Sequence, residues 1–268
     1  MEKKTKRLMA ILAHPDDESL GMGGAMIKYA EEGVETFLVT ATRGERGRFG
    51  TAQESPGIAI VGKTREGELR KAAEKLKIKE LSFLDYLDGD LDKAEPQAII
   101  SKIAMHICRV RPQVVITFGP EGGYGHPDHI AISQFTTAAV VYAANPNGQG
   151  EYPPYAVQKL YYMEWGPSKW EAYQSAFKSL ASQVDGKKRI ATPFPDWAIT
   201  TRIDAVSHWK KVWEAITCHE TQMAQYGSLA HLPESLHEEL WGRQEFYRVF
   251  SLVNGGRAQE TDLFEGIN

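Results

Sequence analysis

The chain has 268 residues, 42% hydrophobic and 25% charged, with a formal net charge of -4. This is the balance of a globular protein long enough for one large α/β domain. A net negative charge excludes the basic footprint of a nucleic-acid binder, and no apolar run approaches the ~20 residues of a membrane span.

At the N-terminus Lys and Arg precede an apolar run, as in a secretion signal. The run is short, ends in charges and has no small-residue cleavage site, so a cytoplasmic location is expected. Leu8 to Ala13 is apolar with no turn former, the pattern of a fully buried strand in a parallel sheet. His14, Pro15, Asp16, Asp17 and Glu18 follow without a polar transition. They set an imidazole and several carboxylates at the carboxyl end of the first strand, where open α/β sheets bind ligands.

Ser19 is expected to cap a helix reaching about Glu32, with Gly33 ending it. Val34 to Ala41 reads as the second strand, and the polar loop Thr42 to Gly47 follows it. After a connection through Pro56 and Gly57, the spacing of Leu69, Ala72, Ala73 and Leu76 predicts an amphipathic helix over about Val61 to Lys77. Leu81 to Leu84 is a short third strand that runs into Asp85 to Gly89. Glu95 to Val110 is a helix with Pro96 in its first turn. Gln113 to Phe118 is a strand, and the glycine-rich loop after it ends in His126, Pro127, Asp128 and His129. This alternation predicts a Rossmann-like, mostly parallel sheet flanked by helices.

Beyond His129 a helix is expected to about Ala144, then a break over Asn145 to Gly150, and strands at Gln158 to Met163 and Ile199 to Ile203. His208 to Gln225 reads as one helix and Asn254 to Asn268 as a polar, disordered tail. The pattern of Trp165 to Lys188 assigns no element. A single domain over 1–268 is expected, with a motif-bearing core at about 7–145, a less regular part at 151–253 and the tail at 254–268. Cys108 and Cys218 lie far apart in helical patterns and read as buried reduced thiols.

If the first and fourth strands are neighbours, His14, Asp16, Asp17, His126, Asp128 and His129 converge. His14, Asp17 and His129 supply the nitrogen and oxygen ligands of a catalytic Zn²⁺, a set that Fe²⁺ also accepts. In an extended loop Asp16 points away from Asp17, so one carboxylate can bind the ion while the other serves as a base. A protonated His126 would stabilise an oxyanion and give a proton to a leaving amine. Asp128 would orient His126 or His129.

Two readings compete with catalysis. Gly21, Gly23 and Gly24 suggest a nucleotide-binding module, but their order does not fit G-x-G-x-x-G, and the carboxylates before them would repel a pyrophosphate. A non-catalytic metal- or sugar-binding protein has no need of Asp16. His106, His208, His231 and His237 read as structural or surface residues, and His219 as either structural or functional. The Trp and Tyr residues between Tyr152 and Trp170 could form a sugar-binding rim or pack in the core.

HPDDE and GHPDH resemble the LmbE-like, or PIG-L, family of zinc-dependent de-N-acetylases. Arg43-Gly44-Glu45, Thr64 to Leu69 and Phe83 to Gly89 extend the resemblance over about Leu8 to Val140, and Cys218 to Gln222 is similar to a later family pattern. The resemblance implies hydrolysis of an N-acetylglucosamine-type acetamide by water activated on the ion. It makes His14, Asp17 and His129 the metal ligands, Asp16 the general base and His126 the polarising, proton-donating group with Asp128 behind it. It gives Tyr124 to the oxyanion, and Arg65, Asp88 and Glu45 to the substrate. The implied partner is a small-molecule amino-sugar conjugate, in a chain free to form a homo-oligomer.

Overall fold

The computed structural model describes residues 5–146, 150–177, 181–184, 186–256 and 258–267. The first half alternates β1 (Arg7–Leu12), α1 (Asp17–Glu31), β2 (Glu35–Thr40), α2 (Ile58–Lys75), β3 (Glu80–Phe83), α3 (Pro96–Val110) and β4 (Val114–Phe118). A short turn α4 (Gly122–Gly125) leads into α5 (Pro127–Ala143) and β5 (Lys159–Glu164). Then come α6 (Pro167–Phe177), the hairpin β6 (Ala181–Val184) and β7 (Lys187–Ile190), and β8 (Thr201–Asp204). The chain continues through α7 (Trp209–Thr217), α8 (Glu220–Tyr226), α9 (Glu234–His237) and β9 (Arg243–Ser251).

These strands build a seven-stranded sheet in the order β3-β2-β1-β4-β5-β9-β8. From β3 to β5 neighbours are parallel, whereas β9 runs antiparallel to both β5 and β8. The strand order reverses between β1 and β4. Leu8, Met9 and Ala10 pair with Val114, Val115 and Ile116, so the loops that follow the two strands leave the sheet side by side. That reversal opens a crevice at the carboxyl ends of the strands.

Leu8 to Leu12 and Val114 to Ile116 are fully buried, as the apolar runs predict for strands covered on both faces. Burying each Leu, Ile or Val of this kind contributes about 1.5–3 kcal/mol. Helix α3 packs on α5, while α1 and α2 pack against α7. The two strand-end loops are therefore carried by the most deeply buried part of the sheet.

Several expectations from the sequence are corrected. Helix α1 begins at Asp17 rather than after Ser19, because Asp16 takes the cap position with φ 105°. Gly21, Gly23 and Gly24 lie inside α1, not in a phosphate loop: a Cβ on Gly21 would overlap the Met163 side chain, and one on Gly24 the carbonyl of Trp241. Their small size serves close packing. Helix α5 begins at Pro127, so Asp128 and His129 stand in its first turn. The helix expected over 208–225 is two helices, broken where His219 adopts φ -82°, ψ 60°.

Residues 254–267 are not a disordered tail where they are described. Glu260 is buried against Lys159, and Leu263 and Phe264 pack into the main core beside Tyr29. Positions 147–149 of the expected break, 178–180 and 185 of the unassigned segment, and 257 and 268 of the tail lie outside the described residues. Cys108 and Cys218 are free and half-buried rather than buried. Among the described residues no helix is long and apolar enough to cross a membrane.

Candidate active site

His14 and Asp17 follow β1, and His129 stands in the first turn of α5, after β4. Nδ1 of His14 lies 3.2 Å from Nε2 of His129, and carboxylate oxygens of Asp17 lie 3.7 Å and 3.4 Å from these two nitrogens. Tetrahedral ligands about 2.1 Å from an ion stand about 3.4 Å apart, close to the separation of the two nitrogens, with Oδ2 of Asp17 near His14 and Oδ1 near His129. The outer nitrogens are turned to acceptors. Nε2 of His14 lies 3.1 Å from both Asp128 and Asp88, and Nδ1 of His129 lies 3.2 Å from the Gly122 carbonyl. Each ring thus donates outward and can turn its remaining lone pair toward the shared point. Phe118 stacks on His129 at 3.9 Å between centroids and fixes its plane.

The charges are set by the same contacts. Burial raises the pKa of the Asp17 carboxyl, but the imidazoles of His129 and His14 outweigh it and hold the group at about 2. Burial lowers that of His14, and the carboxylates of Asp128 and Asp88 overcome it, raising the imidazole to about 10. A metal ion bound at His14 would therefore have to displace a proton from it.

Asp16 sits beside this set in the left-handed region, a backbone state that costs a non-glycine residue on the order of 1–3 kcal/mol. Its side chain does not cap α1. Instead Arg65 reaches its Oδ2 at 3.3 Å and the Pro15 carbonyl at 2.6 Å. Burial raises the Asp16 pKa, opposed by the nearby Arg65. The sequence placed Asp16 and Asp17 in an extended loop. Their divergence comes instead from the left-handed turn at Asp16 and the start of α1 at Asp17.

His126 caps α5, its Nδ1 accepting from the Asp128 backbone N–H at 3.2 Å. That bond leaves Nε2 as the protonated nitrogen of a neutral ring. Burial and the adjacent His14 and His129 imidazoles lower its pKa to about 4. Ring centroids of His126 lie 4.8 Å from those of both His14 and His129, and Tyr124 stands 6.0 Å from His126. Burial and the Asp17 and Asp16 carboxylates push the Tyr124 phenol far above its usual range, so it keeps its proton.

Asp128 does not orient its sequence neighbours through its carboxylate. Oδ2 meets His14 and the Gly89 N–H, and Oδ1 accepts from the Leu91 N–H. Asp88 shares His14 and accepts from the Arg46 N–H at 3.0 Å. Glu45 accepts the N–H groups of Arg43 and Asp88, tying the loop after β2 to the loop after β3. Arg65 also bonds the Gly44 carbonyl at 2.9 Å. A side chain on Gly44, at φ +65°, would overlap its guanidinium.

Residues 9–140 match the family described as PIG-L: GlcNAc-PI de-N-acetylase. The chain is 33% identical to the 1D-myo-inositol 2-acetamido-2-deoxy-alpha-D-glucopyranoside deacetylase of Kineococcus radiotolerans, over 98% of this chain and 83% of that one. The chain belongs to the PIG-L family. The enzyme of the same name from Thermobifida fusca is 31% identical over 97% of this chain and 99% of its own. The fold of this PIG-L protein is similar to that of the N,N'-diacetylchitobiose deacetylase of Pyrococcus horikoshii, with TM-score 0.65, 19% identity and coverage of 92% and 84%. It is also similar to that of the 4-carboxy-2-hydroxymuconate hydratase of Pseudomonas putida KT2440, with TM-score 0.70, 20% identity and coverage of 95% and 100%. At this distance the likeness shows the fold alone.

The PIG-L match ends at residue 140, and residues beyond it also line the site. His14, Asp16, Asp17, Arg65, Asp88, Tyr124, His126 and His129 line a cavity of about 590 Å³. Met163, Trp165, Tyr173 and Gln222 line it as well. Trp165 stacks on Tyr173 at 4.4 Å, so one residue of the aromatic-rich segment reaches the cavity, while Trp170 is buried. The sequence offered no signal for Tyr173. Glu18, which the HPDDE run presents only as one more carboxylate, is fully buried and hydrogen-bonded to His219.

Proposed function

We propose that this chain is a metal-dependent de-N-acetylase that hydrolyses the acetamide of an N-acetylglucosamine-type substrate, a small-molecule amino-sugar conjugate, in the cytoplasm. The observation that carries the reading is Asp16: a buried carboxylate that does not cap its helix, beside His14, Asp17 and His129, whose nitrogen and oxygen atoms approach one another to 3.2–3.7 Å. The relatives named as deacetylases of an N-acetylated amino sugar support the substrate class. Zn²⁺ is the ion proposed, and Fe²⁺ fits the same donors. When bound by these three residues, the ion supplies Lewis acidity and brings the pKa of a water toward ~7.

The chain's own groups then divide the proton work. Asp16 takes a proton from the attacking water, a task suited to a carboxyl whose pKa burial has raised. His126 donates its Nε2–H to the oxygen that becomes negative as water adds to the amide carbon, and Tyr124 adds a second donor. The C–N bond breaks, the proton held on Asp16 passes to the leaving nitrogen, and acetate and a free amine result. Arg65 holds Asp16 in place from one side, and Trp165, backed by the buried Tyr173, offers an aromatic face to a sugar ring.

The test is amine release from N-acetylglucosamine, N,N'-diacetylchitobiose and 1D-myo-inositol 2-acetamido-2-deoxy-alpha-D-glucopyranoside, with the metal-stripped protein and after Zn²⁺ is restored. Metal-dependent release is expected, and Asp16→Asn should retain the ion while losing about 10²-fold or more in kcat. Tight metal binding with no amine released from any of the three would overturn the reading.

A further inference from the structure

We infer that Glu18 and His219 are a positioning pair for Asp16, aiming the base through its backbone. The inference rests on the reading of Asp16 as general base. Oε2 of Glu18 accepts the Asp16 N–H at 3.0 Å, and Oε1 of Glu18 meets Nε2 of His219 at 2.9 Å and the Ser19 hydroxyl. Glu18 and His219 are buried, with 0% and 1% exposure, and neither lines the cavity. They do not touch a substrate there.

What the pair holds is a strained link. Asp16 at φ 105° persists only where its surroundings over-determine it. Arg65 grips the Pro15 carbonyl ahead of that link, and Glu18 grips the N–H of Asp16 itself. A carboxylate suits the task because it offers an acceptor oxygen to each neighbour, whereas an amide would turn a donor against one of them. His219 leaves its Nδ1 buried without a hydrogen bond. That is a poor arrangement for packing alone, and it leaves the Nε2 contact with Glu18 as the service the ring performs.

The pair is anchored where it can act on the base. His219 sits at the break between α7 and α8. Just beyond it, Thr221 donates its N–H and hydroxyl to Glu68 of α2, both at 2.7 Å, and Gln222 donates to the Arg48 carbonyl at 2.8 Å. Glu68 follows Arg65 by about one helical turn and so shares its face of α2. One helix therefore carries the residue that holds Asp16 from the front and the residue that seats His219 behind it. This accounts for the His and Gln pattern at Cys218 to Gln222, which the family match over residues 9–140 does not reach.

The experiment compares kcat, KM, bound metal and melting temperature for His219→Ala, His219→Gln, Asp16→Asn and the double variant Asp16→Asn with His219→Ala. The probe is 1D-myo-inositol 2-acetamido-2-deoxy-alpha-D-glucopyranoside. His219→Ala is expected to lower kcat by about 10- to 100-fold with KM and bound metal unchanged. His219→Gln, which keeps a donor, should recover most of the loss. In the Asp16→Asn background His219→Ala should cost nothing further, since no base remains to be aimed. An equal loss in both backgrounds, or loss of metal with His219→Ala, would overturn the positioning role. Full activity of Asp16→Asn would instead overturn the assignment of the base, and this inference with it.

Discussion

The Asp128 carboxylate lies 3.1 Å from Nε2 of His14, and its partner is thus the imidazole of the other strand-end loop, not His126 or His129 beside it in sequence. The contact ties these two loops to each other, and the same carboxylate accepts the N–H groups of Gly89 and Leu91 from the stretch after β3. Once an ion displaces the Nδ1 proton, the contact would hold His14 as the Nε2–H tautomer, with Nδ1 toward the proposed metal point. Asp128→Asn is expected to weaken Zn²⁺ affinity by about 10- to 100-fold, the usual cost of losing a ligand's orienting carboxylate. Competition with a chromogenic chelator measures it. An unchanged affinity would mean that Asp128 serves the fold alone.

Metal binding should also be linked to pH through His14. Without an ion, Asp128 and Asp88 outweigh burial and keep His14 protonated up to about 10, so at neutral pH the ion must expel one proton. The sign follows: apparent affinity rises with pH below that value, by about tenfold per unit where this proton dominates. Titration calorimetry in buffers of different ionisation enthalpy should show close to one proton released per ion near pH 7. No release would show that His14 is already neutral in the free protein.

The aromatic wall of the cavity makes a separable contribution. Trp165 and Tyr173 stack on one another and line the same cavity as the proposed ligands. Neither is a candidate for proton transfer. Trp165→Ala should raise KM by about 10-fold, on the scale of an aromatic contact, and leave kcat within about twofold. Steady-state kinetics on the preferred N-acetyl sugar decide it. A fall in kcat with KM unchanged would remove Trp165 from sugar binding.

The parts of this design that were legible in the sequence are local. Leu8 to Ala13 and Gln113 to Phe118 announce buried strands by composition, and the abrupt change to His14 or to the glycine-rich loop marks their carboxyl ends. Contacts between distant side chains were not legible. Asp128 was matched to its sequence neighbours because nothing in the chain says that His14 lies across the crevice. His219 and Glu18 are separated by 201 positions, and only the packing of α1 against α7 joins them. Strand β9 escaped notice because Arg243 to Ser251 mixes charged and apolar residues without the clean alternation of a half-buried strand. The 254–268 segment misled for a related reason: polar composition predicts solvation, but the charge of Glu260 is matched by buried partners that composition does not reveal.

Those partners make the C-terminal segment a test of stability. Glu260 is 1% exposed, and its carboxylate accepts from Lys159 at 2.8 Å, Tyr161 at 2.7 Å, Thr201 at 2.8 Å, Arg248 at 2.7 Å and Asn254 at 2.8 Å. Burial pushes the Glu260 pKa up, but these bonds prevail and hold it at about 2, below the 4.5 of a free glutamate. A lowered folded-state pKa contributes stability that is fully present above pH 4.5 and is lost as pH falls toward 2. Glu260→Gln keeps the volume but leaves Lys159, at 0% exposure, without its counter-charge. The expected loss is about 3–5 kcal/mol of unfolding free energy at neutral pH, measured by urea titration. The loss should shrink as the wild type is itself acidified through that window. A variant as stable as the wild type at pH 7 would mean that the segment decorates the sheet instead of closing it.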